Sequence, residues 1–301
     1  MTTKVFFENR GIFRFWKWRG KMEHTKKLAE VDKILTEKNE NTYYITYAEY
    51  KKHKIEIDTE TINDIKKGED AYFFELAFQY FNKQDQEMKT TSLINSDTFY
   101  NKEQMSTCWC KNKIKDYLKI LRPDTKKGLK KKYLEYKDNF KLYPNKVLCF
   151  HFNTILKDND ILYFSAFNAK FDYRAIFHNF VETKTSIRLL KKLQIVDTRV
   201  ICIRMLYDFP KQLKKYKKMC KKEMLYTDKG NCKTDVLTFG IFFWGRKYVE
   251  EHIALFDTID ESKLIDEVNK VYEENHKKLM IEVNNVMGNG ITYKPLKIDN
   301  I

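Results

Sequence analysis

The segment Lys54–Asp64, KIEIDTETIND, sets carboxylates at every second residue, Glu56, Asp58 and Glu60, with Ile55, Ile57 and Thr59 between them. Successive side chains of a strand face opposite ways, so this spacing gives one apolar face and one face of acids. Asp58 and Glu60 would stand roughly 6.5 to 7 Å apart along the strand, within reach of one shared cation. A solvated edge strand that uses acids against aggregation has the same pattern, so the strand alone leaves both readings open. Asp172 in FNAKFD and Asp257 in EEHIALFD each fall where a helical pattern begins, a place where aspartate also serves as a plain cap. His252 precedes Asp257 by five residues, about 500° of helical rotation, so the two meet only if the histidine lies in a loop. Gly245 and the polar run WGRKYVEEH favour that placement. Convergence of these acids and the imidazole would give oxygen ligands for a hard cation with a base beside them.

The elements that must bring them together follow from periodicity. KIEIDTE, AYFFELAFQYF and EMKTTSLI predict three successive strands separated by polar turns, an antiparallel meander. DILYFSAF predicts a strand entering the helix NAKFDYRAIFHNF, where Phe171, Ala175 and Phe177 are spaced for one face. LQIVDTRVICI predicts another strand, and TDVLTFGIFFWG with HIALFDTIDESKLIDEVNKVYEEN a closing helix pair. The lysine-rich residues 96–143 are expected to be helical. Strands leading and helices alternating later give an α/β fold with a mixed sheet and flanking helices, in which sites form at strand ends. Residues 1–45 are expected to be an extension, with the basic, aromatic opening FRFWKWRGK and a helix through KLAEVDKILTEKN; 46–280 form the main domain and 281–301 a tail.

Composition narrows the class. With 301 residues, 43% hydrophobic and 15% aromatic, and only Gly 9 and Pro 4, the chain is that of a folded protein. A net charge of +15 points to a polyanionic partner, nucleic acid ahead of a membrane surface, although an AT-rich coding sequence accounts for part of the lysine excess. Six cysteines without a CxxC pair argue against structural zinc and for reduced thiols. No run approaches eighteen apolar residues and the opening is broken by charge, so neither a membrane span nor a secretory signal is expected, and the expected location is cytoplasmic.

Taken in order, DTET at 58–61, NAKFD at 168–172 and HIALFD at 252–257 resemble the three motifs of the DEDDh branch of the proofreading-type 3′–5′ exonuclease superfamily, over about residues 50–275. The resemblance implies a ribonuclease H-like sheet and metal-dependent release of 5′-nucleoside monophosphates from 3′ ends. It implies two Mg²⁺ or Mn²⁺ ions held by Asp58, Glu60, Asp172 and Asp257, with His252 as general base. Thr59, Thr61, Asn168 and Phe171 are the substrate-binding positions it suggests, while Phe167 stands where a histidine is frequent. The stretch VDT at 196–198 resembles a following strand of several members, and Asp197 there reads as core packing. The second motif is also similar to that of protein-primed DNA polymerases, whose third motif carries tyrosine rather than the histidine found here.

The segments between motifs look longer than in compact members and carry the lysine-rich stretches 111–141 and 211–222, where substrate preference would reside. In KQLKKYKKMCKK, Lys214 and Lys215 are expected to contact the substrate backbone. Single-stranded DNA is the first substrate class and RNA the alternative, because 2′-hydroxyl recognition is not legible in these motifs. An inactive, nucleic-acid-binding member of the fold is the remote alternative.

Overall fold

Burial on both sides decides how the acidic strand is used. In the computed structural model, which describes residues 26, 29–38, 40–62, 72–108, 113–122, 130–284 and 296, a helix over 29–38 (α1) leads to β1 (Tyr43–Thr46), α2 (Tyr47–His53) and β2 (Lys54–Thr61). Then follow β3 (Phe73–Asn82), β4 (Glu87–Asn95), the short helices α3 (Ser96–Phe99), α4 (Lys102–Thr107), α5 (Ile114–Leu121) and α6 (Lys131–Glu135), and β5 (Phe140–Tyr143). The second half alternates: α7 (Asn145–Asp158), β6 (Tyr163–Ala166), α8 (Ala169–Glu182), α9 (Arg188–Lys192) and β7 (Gln194–Asp197). It closes with α10 (Thr198–Asp208), α11 (Pro210–Glu223), α12 (Val236–Trp244), α13 (Ala254–Glu274) and β8 (Met280–Val283). The opening FRFWKWRGK and parts of the stretch 111–141 lie outside the described residues.

Six strands form one mixed sheet in the order β5-β4-β3-β2-β6-β7. The expected meander is present, β2 to β3 and β3 to β4 both antiparallel, and β6 and β7 extend the sheet in parallel on the other side of β2. Helices flank both faces. Ile55 and Ile57 join a core with Phe152 of α7 and Tyr173, Ile176 and Phe177 of α8, while α10 and α13 share a second core on the opposite side. Because β2 is central, the edge-strand reading of its acids fails. No helix among the described residues is long and apolar enough to cross a membrane.

Two expectations are corrected. LQIVDTRVICI is a strand only to Asp197; its carboxylate accepts from the Arg199 amide at 3.0 Å and caps a helix that takes TRVICI. Burial around nearly the whole of α10 removes the amphipathic signal that distinguishes helix from strand. Within 96–143, helices alternate with β5, which pairs in parallel with β4 at the sheet edge. The extension and the tail also meet, because β1 and β8 form a separate antiparallel pair. Of the six cysteines, Cys108, Cys149, Cys202, Cys220 and Cys232 are buried free thiols.

The acidic face of β2 begins with a cation. Lys54, only 2% exposed, donates to Glu56 Oε2 at 2.8 Å and to Ser262 Oγ of α13 at 2.8 Å. Tyr50, Ser165 and Thr198 hydroxyls also reach the Glu56 carboxylate, each at 3.1 Å. Glu56 is thus neutralised within the core and takes no part in a cation site. Removing one partner of such a buried pair strands the other charge. We expect Lys54→Met to lower unfolding free energy by about 3 to 5 kcal/mol and Lys54→Met with Glu56→Leu to recover much of it, as read by urea denaturation. A single substitution that costs under about 1 kcal/mol would refute the pairing.

Candidate metal centre

Three chain segments deliver acids, and a fourth a histidine, to one place at the end of β2. Asp58 and Glu60 point from that strand toward α13, alternating with residues of the opposite core as the pleat requires. Asp172 comes from the first turn of α8 and Asp257 from the first turn of α13, where helix N-termini favour negative charge. His252 lies in the loop before α13, as expected, and holds a left-handed backbone with φ 51°. Asn168, preceding α8, is also left-handed at φ 70°. Asparagine tolerates this region better than histidine does, and such conformations persist where surrounding contacts fix them.

Glu60, His252 and Asp257 come together most closely: one ligand atom from each lies within 4.8 Å of the others. Glu60 and Asp257 are buried, and Asp58 and His252 are half-buried. Among the described residues Asp257 Oδ1 has no hydrogen-bond partner despite its burial. Burial raises the Asp58 carboxyl well above its ordinary range, helped by the charges of Glu261, Asp172, Asp257 and Glu60. Glu60 is raised by burial and by Asp257 and Glu75; Asp257 by burial and by Glu250 and Asp260. An orphaned buried oxygen among carboxylates that destabilise one another fits a hard divalent cation, which oxygen ligands suit and which would offset their repulsion.

Asp172 has a second task. Its Oδ1 accepts from the Thr59 amide at 3.0 Å and the Thr59 hydroxyl at 2.7 Å, joining α8 to β2. Burial dominates those bonds and pushes the Asp172 carboxyl up to about 7. Thr59 is therefore occupied with Asp172, and Thr61 is likewise buried, which leaves neither hydroxyl facing solvent. Asn168 and Phe171 are partly exposed beside the cluster, and Asn168 lines a cavity of about 660 Å³ together with Asp58, Arg199, Glu250 and Glu261. Lys214 and Lys215 are exposed on α11, whose other face buries Tyr216 and Cys220, and they do not line this cavity.

Several participants escaped the sequence reading. Glu261, one turn beyond Asp257 on α13, is buried and accepts from the Phe167 amide at 3.0 Å. Its spacing of four from Asp257 was the available signal. Glu75, opposite Glu60 in the β2–β3 register, accepts from the Ala254 amide at 2.9 Å and anchors the start of α13. Its signal was a lone charge inside the apolar run FFELAF. Glu251, next to His252, accepts from Lys130 at 2.8 Å, Lys132 at 2.9 Å and Tyr133 at 2.7 Å. Burial alone would raise its carboxyl, but these bonds outweigh it and bring it to about 2. The His252 imidazole is held below its ordinary value by burial and by Lys113, against a smaller upward pull from Glu251.

Comparison with known proteins finds no matching family and no curated protein of similar sequence.

The raised carboxyls set a stability profile. A group whose folded-state pKa lies above its unfolded value stabilises the fold below the unfolded pKa and loses that contribution as pH rises through the folded one. For Asp172 the window runs from about 4, the free aspartate value, to about 7. The metal-free thermal midpoint should therefore fall as pH rises across this window, and Mn²⁺ should raise it more at pH 8 than at pH 5, because protons compete for the same oxygens. Equal shifts at both pH values, measured by thermal melts, would contradict a carboxylate cation site.

Proposed function

We propose that this protein is a metal-dependent 3′–5′ exonuclease acting on single-stranded DNA ends and releasing 5′-nucleoside monophosphates. The observation that carries the reading is the convergence of Glu60, His252 and Asp257 within 4.8 Å, with Asp58 and Asp172 electrostatically linked to them. These are the residues of three ordered sequence motifs, and distant positions brought to one point are harder to obtain by chance than any single motif. The finer fold reading, ribonuclease H-like, is supported by the sheet: a three-strand antiparallel meander with two parallel strands added beside its first strand. The net charge of +15 supports a nucleic-acid substrate.

In this reading Asp58, Glu60 and Asp257 hold the cations, and Asp172 steadies the strand end through Thr59 while contributing negative charge. Bound Mg²⁺ or Mn²⁺ would stabilise the attacking and leaving oxygens of an in-line phosphoryl displacement. His252 is the base: its lowered pKa keeps the imidazole neutral near pH 7, ready to take a proton from the attacking water. Its half-buried position beside Glu60 and Asp257 leaves one side open to solvent and substrate.

Asp58→Ala should abolish the stepwise 3′-end shortening of a 5′-labelled single strand in Mg²⁺ or Mn²⁺ while oligonucleotide binding largely survives. Shortening at near the wild-type rate would remove the assignment. Parallel hydrolysis of matched DNA and RNA strands separates the two substrate classes.

For wild type, the rate should rise with pH through a midpoint below the ordinary histidine value of about 6.5 and then level off, since the neutral imidazole is the working form. His252→Ala should lose about 10² to 10⁴ in rate together with the rising limb, at nearly unchanged metal affinity. A variant that keeps both the rate and the limb would make this histidine structural.

A further inference from the structure

A second cavity, about 900 Å³, lies beside the His252 loop, lined by α6, the end of α12, the loop residues 247–251 and α13. Glu251 and Asp260 form its inner edge, and they flank His252 and Asp257 in the chain. The remaining lining is basic and aromatic: Lys130, Lys131 and Lys132 from one side, Lys247 and Lys263 from the other, with Trp244 and Tyr248 along the floor. The floor is built rather than incidental. Trp244 and Tyr248 pack with ring centroids 4.9 Å apart, and the Tyr248 hydroxyl donates to Asp260 Oδ2 at 3.2 Å. Gly240 makes this possible, because a Cβ there would stand 2.1 Å from the Tyr248 ring.

The lysines divide into two sets. Lys130 and Lys132 are committed to Glu251, and Lys132 also lies 4.7 Å over the Phe256 ring. They fix the groove to the His252 loop. Lys131, Lys247 and Lys263 are exposed; Lys131 reaches Glu135 at 3.8 Å in a solvent-exposed pair that contributes little to stability, and Lys263 reaches the largely buried Asp260 at 3.5 Å. Exposed cations lining the same cavity as two aromatic rings suit a strand whose phosphates follow the lysines while a base lies on a ring. A double helix would not offer its bases to that floor.

We infer that this groove, resting on the exonuclease reading, is the path by which a single nucleic-acid strand reaches the carboxylate centre, and that Lys131, Lys247 and Lys263 carry its backbone. The lysine helix α11 is not on this path: its exposed Lys214, Lys215 and Lys218 line neither this groove nor the cavity beside Asp58.

The test is binding without catalysis. Fluorescence anisotropy of a short 5′-labelled single-stranded oligodeoxynucleotide, titrated in EDTA over a range of salt, gives the log–log slope of affinity against salt. The triple variant Lys131→Gln, Lys247→Gln, Lys263→Gln should flatten that slope by about 2, at about 0.7 for each lost phosphate contact, with an unchanged thermal midpoint. Lys214→Gln, Lys215→Gln, Lys218→Gln should leave the slope as in wild type. An unchanged slope in the groove variant would overturn the inference and assign the patch to another acidic partner; flattening confined to the α11 variant would overturn it too. Because metal is absent from the binding assay, a flattened slope in the groove variant together with a wild-type protein that fails to hydrolyse 3′ ends in Mg²⁺ would keep the groove and reject the exonuclease reading.

Discussion

Burying carboxylates beside one another is the constraint on which the rest of this structure depends. Isolated burial of each charge would be costly, and mutual repulsion adds to that cost. The fold manages it by giving most of the acids a backbone amide to hold. Asp172 takes the amide of Thr59, Glu75 that of Ala254, Glu261 that of Phe167, and Asp197 those of Asn168 and Arg199. Apart from the Asp197–Arg199 cap, each of these bonds joins two elements that sequence alone leaves unconnected. The site is therefore assembled by the same interactions that fix β2, β3, α8 and α13 against one another. Asp257 differs: among the described residues its buried Oδ1 has no hydrogen-bond partner, and that is the oxygen a cation would satisfy.

One strand face serves two ends. Lys54 and Glu56 are paired and sealed within the core, whereas Asp58 and Glu60, further along the same face, form no ion pair with a lysine among the described residues; Glu60 meets Asp257 and His252, and Asp58 feels the charges of Glu261, Asp172 and Asp257. The switch from internal neutralisation to cation-ready crowding takes place over two residues. A similar division holds around His252. Its neighbour Glu251 is saturated by lysines and a tyrosine, which ties the lysine-rich α6 segment to the loop, while the imidazole stays half-exposed beside the acids.

Much of this was legible in the sequence because period-two alternation and helix-starting acids are local signals. The meander, the strand-to-helix passage at Asn168 and the loop position of His252 all follow from spacing. The parts that were not legible are those decided by partners distant in the chain. TRVICI looks like strand because its apolar residues are buried on nearly every side of α10, and only the Asp197 cap signals a helix. β5, β1 and β8 are four residues each and become strands by pairing with segments far away. In sequence Glu56 is one more carboxylate of an acidic strand face until Lys54 is seen to claim it, and Glu75 and Glu261 take on meaning only once β3 and α13 are packed against β2.

The most direct test of the central claim, that the acids at the end of β2 form a cation site, is anomalous scattering from crystals of the protein soaked in Mn²⁺. The account predicts a peak bonded to the carboxylates of Glu60 and Asp257, lost in Asp257→Asn. Well-ordered crystals with no peak at those oxygens, or a peak there that Asp257→Asn leaves unaltered, would contradict it.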